Sequence, residues 1–118
     1  MAMMQNLPKE SWKPYFNAVS DALIGKWAEV EVASLDLGDQ VVVEWLPLLG
    51  VTYDSHDDLL DIVLGGSSHF NHLIRHPRQI EITEGAEGLR NIAVTNGDGT
   101  VQVLRLKEPL RLPQSTRS

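Results

Sequence analysis

The chain has no cysteine among its 118 residues. That absence removes disulfides, thiolate nucleophiles and every zinc site built on Cys. No apolar run reaches the roughly 20 residues that a membrane-spanning helix needs. The opening MAMMQNLPKESW lacks a charged segment leading into an apolar one, so no secretory leader is expected. Basic residues are scarce as well: 10 Lys and Arg against 16 Asp and Glu give a net charge of −6. Neutralising phosphates takes clustered Lys and Arg, so neither nucleic acid nor a membrane is an expected partner. What remains is an ordinary globular chain, 42% hydrophobic and 22% charged, with a cytoplasmic location as the default.

The stretch that organises the rest is WLPLLGVTYDSHDDLLDIVL, Trp45 to Leu64. Gly50 to Tyr53 carries the β-branched and aromatic residues that strands favour, and Leu60, Ile62 and Leu64 alternate as one face of a second strand would. Asp54 to Asp58 supplies turn chemistry between them. The spacing predicts a hairpin, expected at the centre of a sheet.

Upstream, Trp12, Phe16, Val19 and Leu23 form a helical stripe, with Ser11 as a candidate cap and Gly25 at the stop. From Trp27 the period changes to two, and Ala28, Val30 and Val32 alternate with Glu29 and Glu31. Val41 to Leu46 reads as a strand with both faces covered, and Pro47 as a bend or bulge. His69 to His76 fits a short helix or a strand, and the strand-rich surroundings favour the strand. Leu89 to Thr95 and Thr100 to Leu106 flank Asn96-Gly97-Asp98-Gly99, the clearest hairpin signal in the chain. The expected fold class is α+β: one N-terminal amphipathic helix packed on a mostly antiparallel sheet of short strands. The expected organisation is a flexible N-terminus over 1–10, a single domain over 11–113 and a polar tail over 114–118.

One pattern runs through nearly the whole chain. Trp12, Tyr15-Phe16, Gly25, Glu31-Val32, Gly38-Asp39-Gln40, Trp45-Leu46-Pro47-Leu48, Gly50 to Asp54, His72-Leu73-Ile74, Pro77 and Asp98-Gly99, with the closing Pro109-Leu110 and Leu112-Pro113, resemble a bacterial family of short proteins, domain-of-unknown-function family 5335. The resemblance implies a shared fold in a small soluble bacterial protein. It brings no catalytic residue, cofactor or partner with it.

Two constellations could carry chemistry. Asp54, His56 and Asp58 imitate the start of a calcium loop. Leu59 then replaces the required Gly, and Gly65 stands where the bidentate Glu belongs. The plain alternative is a solvated hairpin tip whose Asp and Ser side chains bond to their own backbone. On a helix His69, His72 and His76 would share one face, as a zinc site requires. On a strand His69 points away from the other two. No HExxH motif and no G-x-S-x-G elbow is present. The aromatics Trp12, Trp27, Trp45, Tyr15, Phe16 and Tyr53 read as core packing.

The reading is therefore a non-enzymatic association module, acting as a homodimer or with a protein partner, and no cofactor is expected. The alternative is a metal- or small-ligand-binding protein, or a hydrolase. It would use the acidic turn 54–58, through Asp54, His56 and Asp58, together with His72.

Overall fold

The computed structural model describes residues 3–34, 38–65 and 69–111. The helical stripe folds as expected: α1 spans Trp12–Leu23 and buries Trp12, Phe16, Val19 and Leu23. Ser11 does not cap it. Its backbone is helical (φ −93°, ψ −9°) and its side chain makes no capping bond. A 3-10 turn over Lys9–Ser11 leads the chain in instead, and the Ser11 N–H donates to the Pro8 carbonyl at 2.8 Å. At the far end Gly25 sits at φ +89°, the left-handed conformation that ends helices at little cost only for glycine.

Among the described residues, eight strands follow the order β1-β6-β7-β8-β2-β3-β4-β5, and every neighbouring pair is antiparallel. They are β1 (Met3–Leu7), β2 (Trp27–Ser34), β3 (Gly38–Asp54), β4 (Leu59–Leu64), β5 (Phe70–Arg75), β6 (Pro77–Gly85), β7 (Gly88–Asn96) and β8 (Val101–Leu110). The molecule is mostly antiparallel sheet with one short helix packed on it. Within the N-terminal stretch 1–10, Met3–Leu7 forms β1, paired to β6 from Met3↔Glu84 to Leu7↔Ile80. Trp12 fixes that end by donating its indole N–H to the Leu7 carbonyl at 3.0 Å. The polar tail expected over 114–118 lies outside the described residues.

The predicted β3–β4 hairpin forms, but at positions six and seven of the order and not at the centre. The centre belongs to β8 and β2, which pair Ala28 with Leu106 across the length of the chain. The segment 69–76 settles as strand β5. Asn96 to Thr100 closes the last hairpin, with the Asn96 N–H donating to the Thr100 carbonyl at 2.9 Å.

β3 is the unusual element. Two separate strands were expected around Pro47; the chain instead runs 17 residues and changes partners there. Residues 38–47 pair with β2, and residues 48–54 pair with β4. A bulge between Leu48 and Gly50 accompanies the change. Leu48 secures it: its carbonyl accepts the Gly25 N–H at 2.8 Å and its N–H donates to the Lys26 carbonyl at 2.7 Å. The Val51 N–H donates to Ser20 Oγ at 3.2 Å. On one side, then, β3 passes from β2 to α1; on the other, it gains β4 only after Pro47.

Because β3 changes partner, the sheet doubles over. Ile92, Val94 and Leu104 from one limb meet Val51, Leu60, Ile62 and Ile74 from the other, with Phe16 of α1 between them, and no water-sized space is left. Each such side chain contributes about 1.5–3 kcal/mol by leaving water. Trp12 packs edge-on to Tyr53, with ring centroids 5.2 Å apart. Trp27 departs from the core reading of the aromatics. Ala28 and Val30 take the inward positions of β2, so Trp27 faces outward and half exposed. Val41 and Val42 depart as well, at 48% and 46% exposed; only Val43 of that run is covered.

Gly88 is where the backbone leaves least room. It sits at φ +123°, and a Cβ there would lie 2.2 Å from the Leu110 carbonyl oxygen. Gly88→Ala should therefore destabilise the fold by about 3 kcal/mol or more. Thermal unfolding would show this as a midpoint at least roughly 8 °C lower; an unchanged midpoint would contradict the β7–β8 packing described.

Candidate functional site

The polar side chains of interest gather at one end of the molecule, where the β3–β4 turn, the β5–β6 corner and the β7–β8 hairpin come together. Asp54 opens the turn, and its Oδ1 accepts the N–H groups of His56 at 2.9 Å and Asp57 at 3.2 Å. That is the backbone-bonding role Asp favours in turns. His56 itself is exposed at the tip. Asp58 closes the turn in the left-handed region, at φ +52°.

Asp58 is the most engaged of the candidates. The Tyr53 hydroxyl donates to its Oδ1 at 2.6 Å, and His76 Nδ1 lies 3.3 Å from its Oδ2. The His76 N–H also donates to the Asp58 carbonyl at 2.9 Å. Both residues are non-glycine at positive φ, His76 at +53°. This conformation persists when surrounding bonds over-determine it. The Tyr53 hydrogen bond is the main reason the Asp58 carboxyl ionises below the usual carboxylate range, with His76 and the Lys9 charge adding to it. Burial, together with the reciprocal bond to Asp58, pushes the Tyr53 hydroxyl up to about 12. Lys9 reaches this end from the 3-10 turn, its Nζ 5.7 Å from the Trp12 ring centroid.

His72 does not join this group. It pairs with Ile62, four residues along β4 from Asp58, a separation of about 13 Å at strand rise. Its ring points inward on the same face as Ile74, and Nε2–H donates to the Gln102 side-chain carbonyl on β8. The direction follows from the next bonds in the chain. The Gln102 amide donates to Asn96 Oδ1 at 2.6 Å, and the Asn96 amide donates to the Arg75 carbonyl at 2.8 Å. This relay ties β5 to β8 and β7 through side chains, where no backbone ladder joins them. Of the four residues read as candidates, Asp54, His56 and Asp58 share the turn, and His72 serves the relay.

Tyr53, Gln102 and Asn96 were not anticipated as members of a site, and His76 was considered only in a set with His69 and His72. His76 was visible as a histidine before a proline at a strand end. Its partner depends on the β4–β5 register, which the sequence does not display. Among the described residues, no group of three or more His, Asp or Glu is arranged to hold a metal ion. Across the β2–β8 pair Arg105 Nη1 donates to Glu29 at 3.0 Å and to Glu31 at 2.9 Å. A groove of about 300 Å³ lies beside Trp27, lined by Gly25, Lys26, Lys107 and Glu108. It brings no nucleophile together with a base.

Architecture and site thus define a class: a small, sheet-dominated protein with one covering helix and polar corners that brace strand ends. The chain belongs to the family described as Family of unknown function (DUF5335), whose pattern matches residues 3–115. A similar protein from Aquifex aeolicus (strain VF5), described as an uncharacterized protein, is 39% identical over 108 residues, covering 92% of this chain and 96% of that one. No solved structure matches. Among the described residues, no helix is long and apolar enough to cross a membrane.

The Asp58 arrangement has a pH signature. A carboxyl that ionises more readily when folded stabilises the fold above its unfolded value near 3.8. That contribution fades as the pH falls through the folded value. Asp58→Asn keeps the size and an acceptor for Tyr53 but removes the charge. Urea unfolding should show the variant less stable near neutral pH, with the gap closing as the pH is lowered to about 3. A gap independent of pH would contradict the assignment.

Proposed function

We propose that the protein is a non-enzymatic association module that engages itself or a protein partner through the open edge of β3. The observation that carries this reading is the partner change at Pro47. Residues 38–46 have β2 on one side and, among the described residues, no ladder on the other. An unpaired strand edge presents a row of N–H and C=O groups to any incoming strand. Natural edges are commonly blunted by Lys, Pro or a bulge. Gly38-Asp39-Gln40-Val41-Val42-Val43-Glu44-Trp45-Leu46 contains no Lys or Pro, and its bulge at Val42 leaves Val41 and Val43 on either side paired with β2.

The other two sheet ends are less suited. β1 has five residues and is followed at once by Pro8. β5 has six, the Arg75 carbonyl is already taken by Asn96, and His72 is held by Gln102. The polar groups at the turn end brace one another and leave no nucleophile–base pair beside a cavity, which favours association over hydrolysis.

Val42→Lys places a charge on the edge at a position already 46% exposed, so the fold should be kept. In native extract the wild-type protein should elute above its 13.1 kDa monomer mass, and the variant should return to monomer size with an unchanged unfolding midpoint. Wild-type protein eluting as a monomer, or an assembly unaffected by the substitution, would sink the reading.

A further inference from the structure

The β3 edge is its own complement. An antiparallel pair formed by two copies of β3 and centred on Val42 sets residue 42 against residue 42 and Val41 against Val43. It sets Gln40 against Glu44 and Asp39 against Trp45. No like charges are directly opposed; Asp39 of one copy lies one rung from Glu44 of the other, with the two side chains on opposite faces of the pair. The two Glu44 side chains end up four residues apart along the pair, about 13 Å at strand rise. The two Asp39 side chains are six apart, about 20 Å. Both separations exceed the screening length of about 8 Å at physiological salt. This matters in a chain of net charge −6, whose copies repel one another over most other surfaces.

The local backbone adds to this. Val30 pairs with Val43 while Glu31 pairs with Val41, so Val42 is the extra residue of a bulge. Val41 and Val42, at and beside this bulge, are both exposed at the centre of the self-complementary run. Resting on the association reading above, we infer that the occupant of this edge is a second copy of the chain, seated by two-fold antiparallel β3–β3 pairing centred on Val42.

The absence of native cysteine makes the register directly measurable, because one introduced thiol is the only thiol. Residues facing each other in an antiparallel pair have Cα atoms about 4.5–5.5 Å apart. That is within disulfide reach, whereas Cα atoms more than about 7 Å apart are not bridged. Purified Val42→Cys should oxidise to a covalent dimer far faster than Gln40→Cys, whose symmetry mates would be about 13 Å apart, or Thr52→Cys, which is exposed on the other half of β3. The Val42→Cys dimer should keep the wild-type unfolding midpoint after reduction.

Cross-linking at Val42 no faster than at Thr52 would overturn the inference, as would preferential cross-linking at Gln40. Either result, with the wild-type assembly still lost on Val42→Lys, leaves the edge as an association surface and removes only the second copy or its register. If Val42→Lys also changes nothing, both readings fall.

Discussion

The fold depends on two backbone hydrogen bonds at Leu48. By bonding in both directions to the Gly25-Lys26 link, Leu48 fixes where β3 stops being a neighbour of β2 and becomes a neighbour of α1. Pro47 cannot donate to a ladder at that point, and the bulge that follows re-aims the strand. The doubling of the sheet, the position of Phe16 between its limbs and the contact of Trp12 with Tyr53 all follow from that change of partner. So does the open edge. β4 pairs only the second half of β3, so among the described residues the first half carries a ladder on one side only.

The same geometry sets where each candidate polar group lies. Asp58 and His76 meet because β4 and β5 are paired in a register that sets Leu59 against Arg75. His72 is carried inward by the same register and reaches β8. Each acidic or imidazole group is held by neighbours that fix a corner: Asp54 by the turn backbone, Asp58 by Tyr53 and His76, His72 by Gln102. These bonds brace the ends of strands whose backbone ladders have stopped.

Much of the local structure was legible in the sequence. The stripe from Trp12 to Leu23, the Gly25 stop, the acidic turn and the Asn96–Gly99 hairpin are all short-range signals. They depend on helical spacing, positive-φ glycine and turn chemistry. The misreadings share a different cause. β1 exists because β6 offers it a ladder, and Met3 to Leu7 shows no alternation that would announce a strand. β2 is central because β8, some 75 residues later, returns to pair with it. Val41-Val42-Val43 looked like a covered strand by composition, yet coverage depends on β4 stopping at Leu48. In each case the outcome is decided by which strand pairs where, and no local pattern encodes that.

The central proposal is that residues 38–46, which among the described residues carry a ladder on one side only, are filled on the other in the functional state. Residue-resolved amide hydrogen exchange over a dilution series tests it most directly. The outward amides of 38–46 should gain protection as concentration rises, while those of 48–54, already paired to β4 or bonded to α1, should not change. Exchange in 38–46 that is independent of concentration and of any partner would contradict the account.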